Sequence, residues 1–391
     1  MSATADRNAT FLTSVRAVAE TVAAPLADEV DRDARFPREA VDALREQAAL
    51  SCYVPPSHGG DGVGFAELAA ACFELARGCA ATGMVFAMHQ IQVACITRHG
   101  IGTPFFDEYL EELVAGQRLI ASATSEVGVG GDLRSSIAAV TPDGDAVQLE
   151  KNAPTVSYGE HADDLLITAR RSPEADRGDQ VLVLTRGDEA SLEQTGSWDA
   201  LGMRGTCSPS FIVRARVAPE QCLPIAFAEI AAETMVPFSH ILWAHVWLGI
   251  ATGAYDRARA FVRAQAKSAP GAVPPTASRL SALAAELHAM RSEVAAATDE
   301  YAALIESDAG SDDLLSVGYA IRINALKINA SERAPRICSA ALGICGMPGY
   351  KNDTPFSIGR HLRDALSAAL MIANDRIHAT NAALLLVHKA G

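Results

Sequence analysis

Apolar positions recur every three or four residues through FLTSVRAVAETVAAPLADEVDRDARF, the spacing that gathers them on one face of a helix. The period continues in REAVDALREQAAL, where Pro37 sits at the start of the run, a place where its missing N–H costs nothing. Two prolines and four glycines in VPPSHGGDGVGF interrupt any helix. Periodicity resumes in AELAAACFELARGCAATGMVFAMHQIQVACITRHG, which is apolar almost all round and predicts a buried helix pair. Residues 1–118 therefore read as an N-terminal helical domain.

The period then changes. LIASATSE, AAVTPDGDAVQLEKN, DDLLITARR, DQVLVLTRG and SFIVRARVAP are short runs rich in Val, Ile, Leu and Thr, separated by Gly, Pro, Asp and Ser. They predict a middle antiparallel β domain or small barrel over 119–226. Helical periodicity returns over 227–391 in three long runs divided by SAPGAVPPT and ESDAGSDD, followed by a last helix from about Ile358 to His388. Helices of this length pack as a bundle, here a C-terminal four-helix bundle. The expected class is α+β, in the order helices, strands, helices.

Composition narrows the function. With 33 Lys+Arg against 47 Asp+Glu, the chain carries a formal charge of −14, which argues against nucleic acid and anionic membrane surfaces as partners. The eight cysteines show no C-x-x-C pair or regular spacing, so neither a disulfide framework nor a bound metal is expected. The N-terminus is charged, and no run approaches the roughly 18 uncharged apolar residues of a membrane span. These features predict a cytoplasmic protein with reduced thiols.

The most informative segment is SATSEVGVGGDL, residues 122–133. Glycines at 128, 130 and 131 permit close backbone approach, and Thr124, Ser125 and the following N–H groups suit a polar ring edge or a phosphate. It lacks the G-x-G-x-x-G spacing and lies in strand-type sequence, so it is not a dinucleotide fingerprint of the Rossmann kind.

Several segments, in order, resemble those of the acyl-CoA dehydrogenase family. SATSEVGVGGD is similar to T-E-P-G-x-G-S-D, TVSYGEHADDLLITAR to W-I-T-N-G…A-D, LGMRGTCSPSFIVRARVAPEQCL to L-G-x-R-x-S…V-x-V-P, and GICGMPGY with RHLRDA to G-G-x-G-Y…R-D-A. VPPSHGGDGVGF and ELARGCAATGMVFAMH resemble the family's N-terminal half. The resemblance spans nearly the whole chain. It implies an FAD flavoprotein, with FMN as the other option, working as a homotetramer or dimer on an acyl-CoA or acyl-carrier-protein thioester. The redox partner it implies is an electron-transfer flavoprotein, oxygen or a flavin reductase.

By the same resemblance, Thr124, Ser125, Thr155, Ser157, Arg263, Gly346 and Asn374 are cofactor-binding candidates, and Gly131 and Ser239 lie near substrate. Donors at such positions suit a reduced flavin, which carries negative charge near N1. The chain departs from the family pattern at Val127, Gly131, Thr155 and Gly343, where proline, serine, an aromatic residue and glutamine are usual.

The largest departure concerns the base. Spacing from Arg363-Asp364-Ala365 forward and from Ile377 back puts Ile372 at the family's catalytic glutamate, and the alternative position falls at Ser239 or His240. Isoleucine cannot accept a proton. Replacement candidates are His240, which titrates near neutrality when unperturbed, then His89 and Asp375. On a continuous helix Asp375 would sit about 300° round the axis from Ile372. Three readings follow: thioester α,β-dehydrogenation with a non-standard base, flavin-dependent oxygenation on the same fold, or a catalytically impaired partner subunit. Where such oxygenases place a histidine, just before the glutamate position, this chain has Met371.

Overall fold

The periodic N-terminal sequence forms six helices in the computed structural model, which describes residues 3–268, 270–307 and 310–388. They are α1 (Ala3–Val18), α2 (Ala24–Arg32), α3 (Arg38–Glu46), α4 (Phe65–Gly78), α5 (Ala80–His99) and α6 (Pro104–Gly116). A single π-turn, Ala19–Ala23, joins α1 to α2, and Pro25 is tolerated because it falls in the first turn of α2. The all-round apolar α5 is buried along nearly its full length.

Seven strands follow: β1 (Ile120–Ala123), β2 (Thr141–Asp143), β3 (Ala146–Ala153), β4 (Asp164–Arg170), β5 (Gln180–Arg186), β6 (Ala190–Gln194) and β7 (Phe211–Val217). They form two sheets, ordered β1-β4-β5 and β2-β3-β7-β6. The expected antiparallel pattern holds with one correction. β1 runs parallel to β4, with Ile120 opposite Asp164, because the chain between them crosses over through the second sheet. β3 and β7 alternate buried and exposed positions, as half-buried strands do, whereas β4 and β5 are apolar on both faces and buried on both.

The remainder is helical: α7 (Phe227–Ile230), α8 (Val236–Ser268), α9 (Ala277–Ile305), α10 (Gly310–Leu314), α11 (Val317–Cys345), α12 (Met347–Tyr350), α13 (Gly359–Leu366) and α14 (Asn374–Val387). Helix α8 is the central spine, packed on α11, α4 and α9. At its crossing with α4 a Cβ on Gly249 would lie 2.6 Å from the Phe73 carbonyl oxygen, so only glycine permits this approach. Helices α5 and Phe227–Ser268 are long and apolar enough to cross a membrane by length and composition, but 89% of the apolar 18-residue stretch in each is buried within the fold. Six cysteines are buried, and Cys207 and Cys222 are half-buried; all eight are free thiols.

The expected last helix is broken. Residues 367–373 form turns between α13 and α14, and Ile372 adopts φ 53°, a conformation costly for a β-branched residue. The cause is tertiary. The Lys327 ammonium, wholly buried on α11, donates to the Ile372 carbonyl at 2.6 Å and to Asn374 Oδ1 at 2.7 Å. It lies 5.8 Å from the Trp247 ring centroid, and no carboxylate is within ion-pair distance among the described residues. Burial pushes Lys327 down to about 8. Replacing it by Met is expected to leave the bundle folded and to raise amide exchange across 370–374 at least about tenfold by mass spectrometry. Unchanged exchange there would refute its role as the pin.

Candidate active site

A cavity of about 670 Å³ opens where all three regions meet. Its helical wall comes from α5 and α8. Met84, Met88 and Gln92 are spaced i, i+4, i+8 on α5, and Ser239 and Trp243 repeat one turn apart on α8, with His240 beside them. Its sheet wall is the segment after β1, the segment after β3, and the loop 198–208. The break at 367–373 closes the third side with Leu370, Met371, Ile372 and Ala373. A recess of about 880 Å³ over β3 and β7 is more open and contains none of the candidate cofactor, substrate or base residues read from the sequence.

The glycine loop is stapled at its base. Glu126 is buried and accepts from Ser136 Oγ at 2.7 Å, Ile137 N at 3.0 Å and Ala138 N at 2.6 Å. Its carboxyl is pushed up by burial, but the Lys151 ammonium at 3.5 Å and these donors prevail and hold it below its ordinary value. Above the staple Gly130 has φ 60°, and a Cβ there would lie 2.9 Å from Arg376 Nη2. The backbone conformation favours glycine here, while the guanidinium, at the end of a flexible side chain, can move aside for a Cβ.

Seven hydroxyl residues line the sheet wall, Ser122, Thr124, Ser125, Thr155, Ser157, Thr206 and Ser208. Ser125 donates to the Thr155 carbonyl at 2.8 Å and lies 3.3 Å from its hydroxyl. Ser208 donates to Ser157 Oγ at 2.9 Å, and Thr206 Oγ1 is 2.8 Å from Ser208 Oγ. Because Ser157 accepts from Ser208, its own hydrogen is left for a ligand in the cavity. The L-G-x-R-x-S segment was legible in the sequence, but Thr206 and Ser208 were not singled out, because Ser208 meets Ser157 across fifty-one residues and Thr206 joins them only through Ser208.

Of the sequence candidates, Thr124, Ser125, Gly131, Thr155, Ser157, Ser239, His240 and Ile372 line this cavity. His89, Arg263, Gly346, Asn374 and Asp375 do not. The expectation that His89 faces the pocket is corrected. One of its ring nitrogens, Nε2, contacts the Leu50 carbonyl at 2.8 Å, the other accepts from Ile120 N at 3.0 Å, and burial pushes it down to about 4. It is a neutral structural bridge. Arg263 is exposed on α8, and Gly346 caps α11 with φ 60°. Asn374 lies behind the wall with Lys327 and Ser331. Asp375 sits exposed in the first turn of α14, so the helical angle expected from a continuous helix does not apply.

His240 is buried, with Nδ1 3.3 Å from the Ile323 carbonyl; burial, and then the nearby Lys327 charge, push it down to about 3. Arg363, Trp198 and Leu370 also line the cavity and were missed by sequence; Arg376, from the polar run Asn374-Asp375-Arg376, lines it too. Asp364, next to Arg363, accepts from Met203 N at 2.7 Å and so docks the 198–208 loop on α13.

A helical unit, a small two-sheet unit and a helical bundle meet around one cavity, an α+β architecture with its site at the junction of all three. The model of the acyl-CoA dehydrogenase N-terminal domain matches residues 5–117 and that of the C-terminal domain matches 230–383, and the chain belongs to the acyl-CoA dehydrogenase family. It is 26% identical over 356 residues to the mitochondrial short-chain specific acyl-CoA dehydrogenase of Bos taurus, covering 90% of this chain and 82% of that protein. It is 26% identical over 372 residues to cyclohex-1-ene-1-carbonyl-CoA dehydrogenase of Geobacter metallireducens, covering 94% of each. Among solved structures, FMN-bound TdsC from Paenibacillus sp. A11-2 superposes with TM-score 0.83 at 21% identity, covering 98% of both chains. Butyryl-CoA dehydrogenase of Megasphaera elsdenii gives 0.79 at 19% identity, covering 97% of this chain and 98% of its own.

Proposed function

We propose that this chain is a flavin-dependent oxidoreductase whose chemistry does not begin with proton removal by a carboxylate, and that oxygenation of a substrate held between α5 and α8 is its reaction. The cavity suits a flavin. Its sheet wall offers the Ser125, Thr155 and Ser157 hydroxyls, and the glycine loop beside it has positive φ at 128, 130 and 131. Thr124, Ser125, Thr155 and Ser157 would hold the ring system, which when bound supplies the electron-transfer chemistry. FAD is the cofactor proposed, with FMN as the other outcome when heat-released flavin is chromatographed.

The carrying observation is the composition of the wall. Its only carboxylate among the described residues is Asp132, half-exposed on the glycine loop 3.7 Å from Arg134. Ile372, read here as standing in the family's base position, is aliphatic. Oxygenation would need no such base: a bound reduced flavin would supply two electrons, renewed by a flavin reductase, and dioxygen would give one oxygen atom to the substrate and the other to water. The chain's own part is to exclude water with Met84, Met88, Ile91, Met235 and Trp243, and to aim the Ser157 hydroxyl into the cavity.

A second reading, α,β-dehydrogenation of an acyl thioester with His240 as base, is favoured by the place of His240 in the wall. A ring pushed down to about 3 is a weak proton acceptor, which ranks this reading second. Anaerobic mixing of the oxidised holoprotein with butyryl-, octanoyl- and palmitoyl-CoA discriminates the two. The expected result is no bleaching of the flavin, with substrate-dependent oxygen uptake once reduced flavin is supplied; bleaching by any thioester overturns the oxygenase reading.

A further inference from the structure

The wall between α5 and α8 is mostly apolar, with Gln92, Ser239 and His240 as its polar members. Met84, Met88, Ile91, Met235 and Trp243 line the same cavity as His240, which is 3% exposed. The Ile323 carbonyl can only accept, so a bond to it puts the ring hydrogen on Nδ1 and leaves the Nε2 lone pair free. Two effects keep a second proton off the ring: burial, and the Lys327 ammonium on the same helix as Ile323.

No protein donor serves that lone pair. Nε2 has no hydrogen-bond partner among the described residues, yet it is not among the buried polar atoms sealed from solvent, so its remaining open surface is the cavity. The adjacent hydroxyl of Ser239 is committed to the Met235 carbonyl at 2.5 Å. The Gln92 amide nitrogen spends one of its two hydrogens on the Met88 carbonyl at 3.2 Å, and no bond from it to His240 is present among the described residues. The Trp243 indole N–H lacks an acceptor but is itself sealed off, with ring centroids 6.3 Å apart.

We infer that His240 is a specificity-determining hydrogen-bond acceptor, and that the substrate is an apolar, ring-bearing molecule presenting an O–H or N–H donor to its Nε2. An acceptor left unpaired in an apolar wall is costly, so a site built this way rejects an analogue lacking the donor. Methionine sulfur and an indole face favour a flat aromatic body over a linear alkyl chain. The inference rests on the reading of this cavity as the substrate site, and it names the substrate class there.

Equilibrium dialysis of the oxidised, flavin-loaded protein with 2-naphthol and 2-methylnaphthalene tests it, because the two differ only by hydroxyl against methyl. The wild type is expected to bind 2-naphthol at least about tenfold more tightly, although the methyl compound is the more hydrophobic. His240→Phe is expected to reverse the order, and His240→Gln, which keeps a carbonyl acceptor, to retain it. Equal binding, a preference for the methyl compound, or no binding of either by the wild type overturns the inference. So does a naphthol preference that survives His240→Phe; if that variant does not fold, loss of the preference in folded His240→Gln overturns it as well. No turnover is involved, so failed oxygen uptake with the preference intact sinks only the oxygenase reading.

Discussion

Replacing Arg118 by Met is expected to lower the free energy of unfolding by about 3–5 kcal/mol, the loss that follows when one partner of a buried ion pair is removed. Asp164 opens β4 with its side chain fully buried, and Arg118 grips it with two bonds, Nε to Oδ2 at 2.6 Å and Nη2 to Oδ1 at 2.5 Å. The Tyr109 hydroxyl of α6 donates to the same carboxylate at 2.7 Å. The trio joins the last helix of the N-terminal region to the parallel β1–β4 pair. Without the guanidinium a buried carboxylate keeps one neutral donor and no counter-charge. Urea unfolding at constant m-value reads the loss as a lower midpoint. Adding Asp164→Leu should recover part of it, since the uncompensated charge goes too. A loss under about 1 kcal/mol would show that the pair contributes little beyond its own desolvation.

Replacing Ser157 by Ala is expected to slow the flavin-dependent step by about a hundredfold, the usual cost of deleting one preorganised donor in a water-poor site. The donor is aimed by its neighbours: Ser208 gives its hydrogen to Ser157, which frees the Ser157 hydrogen for the cavity. Ser208→Ala should therefore act in the same direction but more weakly, by about tenfold or less, and Ser208→Thr should restore most of the rate. Both alanine variants should shift the absorption spectrum of bound flavin, a change that a purely structural role would not produce. If Ser157→Ala leaves rate and spectrum unchanged, the hydroxyl does not face the cofactor.

Much of the site was legible because it lies in short local segments. Thr124, Ser125, Thr155 and Ser157 are read from two motifs, and the structure brings them to one wall. The residues that tune them were not legible, since each acts from far along the chain. Lys327 reaches the Ile372 carbonyl across forty-five residues, and Ser208 reaches Ser157 across fifty-one. His89 had the right chemistry in the right helix, but its two ring nitrogens are spent on Leu50 and Ile120.

The sequence by itself determined the order of helical and sheet regions, because hydrophobic period depends only on neighbours a few residues apart. It also determined the glycine loop, because the positive φ values at 128, 130 and 131 suit the residue without a Cβ. Tertiary structure alone decided the parallel β1–β4 pairing, the interruption of the last helix and the protonation state of His240. SAALMIAND is mostly Ala, Leu and Met and contains no proline or glycine, so local propensity does not demand a break there. The break comes from an ammonium group buried on another helix, whose need for acceptors outweighs the local preference and whose charge, with burial, keeps His240 neutral.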